Sequence, residues 1–374
     1  MKLLLLDMDG VLLQPNGYHE ALQENVRLWG RALGFGNVVL SRDSIYRFES
    51  AGVSAEWVSG SLCVALMMIE RWKQDPDMPI PSSLVIAEDE VPLPTPDFDN
   101  FSKELLAVSD HHRPVELAVG LLESRCSSPE QVAALRRLIE AATSFEASLF
   151  HRIQQELVLG SERMQDVYGV TPTLETEGYL LTRDRAALTS KHVTTLLEWM
   201  GQEGHGAALM TNRPTRWPGG PGGSPEAELG LQLLGLETLP FAGMGAASWL
   251  AEQQGLQTEA LLKPHAAHAL AAIRLALGEG ELQSLSAVHA LLIANVVDDG
   301  WRSLDGASII VLEDSANGCL SATAAAGVLA KAGLHLHVRL YGVARSASKR
   351  DVLSGLGAGL YADSGDALLD AMRC

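Results

Sequence analysis

The chain has 374 residues, 47% of them hydrophobic, and can bury a sizeable core, with a length that suits two domains better than one. Its formal net charge of −18 argues against nucleic acid as a partner, because phosphate backbones are held by Lys and Arg clusters. Any anionic ligand must therefore find positive charge locally.

The chain opens with Lys2-Leu3-Leu4-Leu5-Leu6-Asp7-Met8-Asp9-Gly10. An unbroken apolar run ending in acid and glycine predicts a strand buried on both faces of a parallel sheet. Side chains alternate along a strand, so Asp7 and Asp9 face one side while Met8 points away. Two carboxylates in one small volume repel unless a cation or a shared proton relieves them. A strand followed by an Asp-Gly turn accounts for the same residues without chemistry. The apolar stretch is too short for a signal peptide or a membrane span, and no later segment is long and apolar enough to cross a bilayer.

Leu12 to Gly17 is rich in turn residues, and a helical pattern follows through Leu22, Val26, Trp29 and Leu33. From there to about Gly178 the pattern is almost wholly helical. Trp57, Val58, Leu62, Leu66, Ile69 and Trp72 recur at helical spacing behind Ser54, and Ser128-Pro129-Glu130-Gln131 reads as a capping box with proline in the first turn. Phe145, Leu149, Ile153 and Leu157 lead to Gly160; such stripes are core positions of a helical domain. Pro76, Pro79, Pro81, Pro92, Pro94 and Pro96 forbid a regular helix between Asp75 and Phe98. His111-His112 beside Asp110 reads as exposed surface rather than as a metal site.

Glu177-Gly178-Tyr179 marks a return to an α/β pattern. A helix through Val193, Leu196, Leu197 and Met200 leads into the apolar run Ala207-Ala208-Leu209-Met210, which ends at Thr211-Asn212. Arg213 to Gly223 is too rich in Gly and Pro for regular structure; Arg213 or Arg216 could meet a substrate's remote anionic group or simply lie solvated on an exposed loop. Leu261-Leu262-Lys263-Pro264 supplies a cation. His265 and His268 behind it read as ordinary helix residues. Ala290 to Val297 is an added helix or strand, with Asp298 and Asp299 in the turn beyond. Ser308-Ile309-Ile310-Val311-Leu312-Glu313-Asp314-Ser315 is another buried strand ending in acids, and the small residues Ser321 to Gly327 suit a helix packed tightly on a sheet. Cys63, Cys126, Cys319 and Cys374 are scattered without a metal-type pair, which points to a reduced, cytoplasmic setting. No internal repeat is present.

In this order, Asp7-Met8-Asp9-Gly10-Val11, Thr211-Asn212, Lys263-Pro264 and Glu313-Asp314-Ser315-Ala316-Asn317-Gly318 resemble the four motifs of the haloacid dehalogenase (HAD) superfamily of phosphohydrolases. The resemblance covers the α/β part of the chain, is strongest to enzymes like phosphoglycolate phosphatase and β-phosphoglucomutase, and is thin over the helical part. It implies a Rossmann-like parallel-sheet core, residues 1–14 and 179–374, with a mainly helical type 1 cap domain inserted at 15–178. Tyr341 to Ala344 and Ala358 to Tyr361 then resemble the closing elements of the core.

The resemblance also implies roles. Asp7 is the nucleophile that forms an aspartyl-phosphate, and Asp9 the acid and base for the leaving alcohol and the attacking water. Thr211, the backbone N–H of Asn212, and Lys263 bind the phosphoryl group. Mg²⁺ is held by Asp7, the backbone carbonyl of Asp9 and Asp314, with Glu313 direct or through water. The expected activity is Mg²⁺-dependent hydrolysis of a small phosphorylated metabolite. A sugar phosphomutase of the β-phosphoglucomutase type and a non-enzymatic regulatory protein on the same scaffold are the alternatives. Substrate selection is expected of the cap, where Arg42, Arg47 and Arg113 are either contacts or solvated charges.

Overall fold

The computed structural model describes residues 1–53, 55–85, 93–108, 113–220 and 222–373. Its strands are β1 (Lys2–Leu6), β2 (Leu13–Gln14), β3 (Arg185–Ala186), β4 (His205–Met210), β5 (Phe241–Ala242), β6 (Ser308–Glu313), β7 (His337–Val343) and β8 (Gly359–Tyr361). Six of them form one sheet in the order β5-β4-β1-β6-β7-β8, and every pairing in it is parallel. Helices cover both faces, giving a Rossmann-like α/β architecture.

The two-residue period of a strand decides which leucine meets which face. Leu3 and Leu5 pack with Ala208, Met210, Ile309 and Val311 against the helices Ala266–Ala276 and Ala316–Lys331. Leu4 and Leu6 pack with Ala207, Leu209, Ile310 and Leu312 against Leu196 and Trp199 of the helix Ser190–Met200 and Leu368 of the helix Ser364–Arg373. The four leucines of β1 are at most 1% exposed, and each such burial is worth roughly 1.5–3 kcal/mol. Helix Ala266–Ala276 is built largely of alanine, and its Ala276 carbonyl approaches β4 so closely that a Cβ on Gly206 would lie 1.9 Å from it.

The chain leaves β1 for β4 and β5 on one side, then crosses to β6, β7 and β8 on the other. The order therefore reverses beside β1, and the carboxyl ends of strands at such a reversal form the crevice where open α/β sheets bind ligands. Asp7, Thr211 and Asp314 immediately follow β1, β4 and β6, while Glu313 is the last residue of β6.

The chain divides into two compact units, residues 1–15 with 184–374, and Asn16–Arg183. The return falls later than the sequence boundary at 179, because the helix Tyr179–Arg183 packs within the helical unit: Arg183 stacks over Tyr179 at 5.4 Å and pairs with Glu20 at 3.5 Å. Nothing local marks this. Every named secondary-structure element of that unit among the described residues is a helix, and Trp29, Phe48, Leu62, Phe101 and Phe150 lie in its core. Ser128 does cap the helix Pro129–Glu140 through the Gln131 N–H, but the Gln131 side chain accepts from Ser127 N at 2.9 Å instead of from the cap residue. Helix Glu56–Trp72 starts behind Ala55; Ser54, Pro92 and the Asp110-His111-His112 run lie outside the described residues.

Ala290 lies in the helix Glu281–Ala294, which stops at Asn295 in the left-handed conformation. Asp298 is more than a turn residue: it caps the short helix Asp299–Arg302 and holds buried Arg274 at 2.6 and 3.0 Å. No helix among the described residues is long and apolar enough to cross a membrane.

Candidate active site

Leu6 of β1 is the last leucine of the strand, and Asp7 continues it by donating its backbone N–H to Leu312 O of β6 at 3.0 Å. This fixes a buried carboxylate between β4 and β6. The chain then tightens, with Met8 O accepting from Leu12 N and Leu13 N at 2.9 Å each and Gly10 at φ +77°. Gly10 is required here twice over. Left-handed backbone disfavours a side chain, and a Cβ at this position would lie 2.3 Å from Asp314 Oδ2.

Asp7, Glu313 and Asp314 each bring a carboxylate oxygen within 4.8 Å of the others, a group that could hold a metal ion. Glu313 is fully buried, and its Oε1 accepts from Asp314 N, Ser315 N and Ser315 Oγ at 3.2, 3.2 and 2.8 Å, which shapes the turn after β6. The helix Ala316–Lys331 crowds it closely enough that a Cβ on Gly318 would fall 1.5 Å from Glu313 Oε2. Burial, and then repulsion from Asp7, pushes the Glu313 carboxyl up to about 8; burial also pushes Asp314 up to about 6, with Lys349 opposing and Asp7 adding to the rise.

Lys263 answers this negative charge. Its Nζ donates to Asp7 Oδ1 at 2.7 Å and to Glu313 Oε2 at 2.9 Å. Burial disfavours its charge, but the two carboxylates outweigh burial and raise its pKa above the ordinary lysine value, so it is a permanent cation. Lys263 is set in place by its own backbone N–H, which donates to Asn212 Oδ1 at 3.1 Å. Asn212 thus positions the lysine through its side chain, beside the backbone role expected of it. Thr211 is buried at the end of β4; its N–H donates to Ala242 O at 3.0 Å and its Oγ1 accepts from Arg213 N at 3.1 Å.

Asp9 goes elsewhere. Its carboxylate is gripped by Arg213, with Nε 3.0 and 2.9 Å from the two oxygens and Nη2 2.5 Å from Oδ1. Arg213 Nη2 also donates to Asp184 Oδ2 at 2.9 Å, and both partners of that pair are almost wholly buried. This corrects the view of Arg213 as a loop residue meeting substrate or solvent: two carboxylates draw it inward. Arg216 does lie on the exposed loop, its N–H donating to Glu228 Oε1 at 2.9 Å. Only the pair Arg213-Pro214 directly after Thr211-Asn212 could have hinted at the former. Asp184 carried no signal, nor did Lys349, which approaches Asp314 Oδ2 at 2.5 Å from the helix Ala347–Gly355.

His265 and His268 share no site. His265 caps the helix Ala266–Ala276 by accepting from Ala267 N, while buried His268 bonds Gly243 O at 3.0 Å. In the helical unit, Arg47 pairs with Asp99, Arg113 with Glu116 at 3.8 Å, and Arg42 with Glu20 at 3.2 Å beside a cleft of about 400 Å³.

No family model and no curated protein matches the sequence. Among solved structures, the chain is similar to an X-ray structure of a Northeast Structural Genomics Consortium target, at a TM-score of 0.65 and 15% identity, over 99% of this chain and 100% of that one. At that identity the likeness speaks to the fold alone.

Proposed function

We propose that this chain is a Mg²⁺-dependent phosphatase of the HAD type, hydrolysing a small phosphomonoester through an aspartyl-phosphate on Asp7. The observation that carries the reading is the convergence of Asp7, Lys263, Glu313 and Asp314, from three separated stretches of sequence, at the carboxyl edge of a parallel sheet. A cluster of carboxylates in which burial first, and mutual repulsion second, raises Glu313 and Asp314 is a place where added positive charge is favoured. The donors are all oxygen, which suits a hard ion such as Mg²⁺. Asp7, the Asp9 carbonyl and Asp314 would hold it, with Glu313 direct or through water, since Glu313 already serves Lys263 and the turn. When bound, the ion supplies charge neutralisation between the carboxylate nucleophile and the phosphate dianion.

On this reading, Asp7 attacks phosphorus and the bond to the leaving oxygen breaks as Asp9 delivers a proton to it. Asp9 then takes a proton from water, which attacks phosphorus and frees both Asp7 and inorganic phosphate. Lys263 holds positive charge against Asp7 and the incoming phosphoryl oxygens throughout, and Thr211 and the Asn212 N–H bind those oxygens. The helical unit Asn16–Arg183 would be the cap that selects the leaving group.

The test is a panel of phosphorylated metabolites and aryl phosphates with the purified protein and Mg²⁺, scored for released phosphate. Turnover that stops with chelator and is absent in Asp7→Asn is expected, because an amide is a poor nucleophile and a poor metal ligand. Equal turnover by wild type and Asp7→Asn would sink the proposal.

A further inference from the structure

A half-exposed carboxylate with both oxygens engaged by a buried guanidinium is an unusual state for a group expected to move protons. The Asp9 side chain is 34% exposed, whereas that of Arg213 is 2% exposed and that of Asp184 is 1% exposed. Arg213 therefore reaches Asp9 from the interior and leaves the opposite side of the carboxylate open. Its own freedom is removed at several points. Its N–H donates to Thr211 Oγ1, its carbonyl accepts from Met244 N at 3.0 Å, and its guanidinium is tied to Asp184. Asp184 is the first core residue after the helical unit, directly before β3, which pairs with Leu13–Gln14 just downstream of Asp9.

We infer that Arg213, anchored by Asp184, is a positioning residue that fixes the orientation of the Asp9 carboxylate for proton delivery to the leaving oxygen. The inference rests on the phosphatase reading above. Asp9 is an aspartate with two free torsions at the start of a turn; without a fixed partner it samples several rotamers, and only some direct an oxygen at the leaving group. The planar fork of arginine grips a carboxylate at two points and sets its plane, which the point charge of lysine does not. Asp184 contributes from the buried side, because it accepts from the same Nη2 that donates to Asp9 Oδ1 and so fixes the nitrogen that grips the carboxylate.

In the step concerned, Asp9 first takes a proton from solvent on its open side, against the pull of Arg213; the Asp7–phosphorus bond then forms, the bond from phosphorus to the leaving oxygen breaks, and that proton passes from Asp9 to the leaving oxygen. An alkoxide needs this proton to depart, whereas a dinitrophenolate departs without it. A misaligned Asp9 therefore slows alkyl phosphates selectively. A merely structural role for Arg213 would depress both substrate classes alike.

The experiment compares kcat/KM for an alkyl phosphate and for 2,4-dinitrophenyl phosphate in wild type, Asp9→Asn, Arg213→Lys, Arg213→Met and Asp184→Asn, each at saturating Mg²⁺. Asp9→Asn sets the full leaving-group signature. Arg213→Met is expected to lose on the order of 10²-fold on the alkyl phosphate and less than about threefold on the activated aryl phosphate, as misplacement of a proton donor implies. Arg213→Lys and Asp184→Asn are expected to shift the alkyl-to-aryl ratio in the same direction by about tenfold. They keep a cation or the guanidinium in place and remain informative where Arg213→Met fails to fold. Equal losses on both substrates in these two variants, with the signature present in Asp9→Asn, overturn the inference and leave the phosphatase reading standing. Wild type inactive on every phosphate overturns both.

Discussion

Lys263 Nζ stands 2.7 Å from Asp7 Oδ1, although 256 residues separate the two in sequence. The same nitrogen binds Glu313 Oε2 at 2.9 Å, so one buried cation joins β1, β6 and the segment after β5. Removing it leaves two buried carboxylates facing each other. Lys263→Met should cost about 3–5 kcal/mol, the usual penalty for deleting one member of a buried ion pair. Urea unfolding at pH 8 measures this, and a loss below about 1 kcal/mol would mean that the carboxylates find relief without the lysine.

Gly10 and Asp314 make a second test, by geometry alone. Gly10→Ala meets both the φ of +77° and the 2.3 Å approach to Asp314 Oδ2. It should destabilise the protein by about 1–2 kcal/mol through the left-handed backbone. Asp314 must also move, so Mg²⁺ affinity should fall with it. Isothermal titration with Mg²⁺ on folded Gly10→Ala would contradict this account by returning the wild-type value.

Metal binding should be visible without any substrate. A ligand that binds only the folded protein at a hundred times its dissociation constant adds about 2.7 kcal/mol of stability. Wild type should therefore melt at a higher temperature with Mg²⁺ than with chelator, while Asp314→Asn should show little shift. A shift of equal size in Asp314→Asn would move the ion away from this cluster.

His268 supplies a pH dependence. Burial, with Lys263 opposing charge more weakly, lowers its pKa to about 4, so it stays neutral in the folded protein at neutral pH and bonds Gly243 O. The unfolded chain protonates near 6.5. Its contribution is therefore fully present above about pH 6.5, declines as pH falls toward 4, and levels off below, with a span of roughly 3 kcal/mol. Comparing wild type with His268→Gln by denaturant titration from pH 7.5 to pH 4.5 should show the wild type losing more stability over that interval. Parallel curves would exclude His268 as the source.

How much of this was legible depended on whether a residue's role is set by its neighbours in sequence. β1, β4 and β6 were readable because strands buried on both faces must be continuously apolar and must stop where polar groups begin, which delivers Asp7, Thr211, Glu313 and Asp314 to one edge. Lys263 announced itself by standing next to Pro264 after an apolar pair. Arg213 did not, because its burial is caused by Asp9, 204 positions away, and Asp184, 29 positions away, and a Gly- and Pro-rich surrounding argued for solvent. The end of the helical unit at Arg183 was equally hidden, since Tyr179–Arg183 follows a glycine that looks like a boundary and is held by contacts with Glu20.

The pairing of β1 has a consequence for synthesis. Its four leucines are made well before either partner strand, because Lys2 pairs with His205 on one side and Ser308 on the other. At ribosomal rates of about 5–20 residues per second, roughly ten seconds or more pass before the first partner strand exists, and longer before the second. During that interval the most apolar strand of the sheet has no edge to join, while the helical segment behind it can already fold from local contacts. The nascent core is thus exposed to aggregation until β4 is made, and a chaperone that binds short leucine-rich segments has its target in β1.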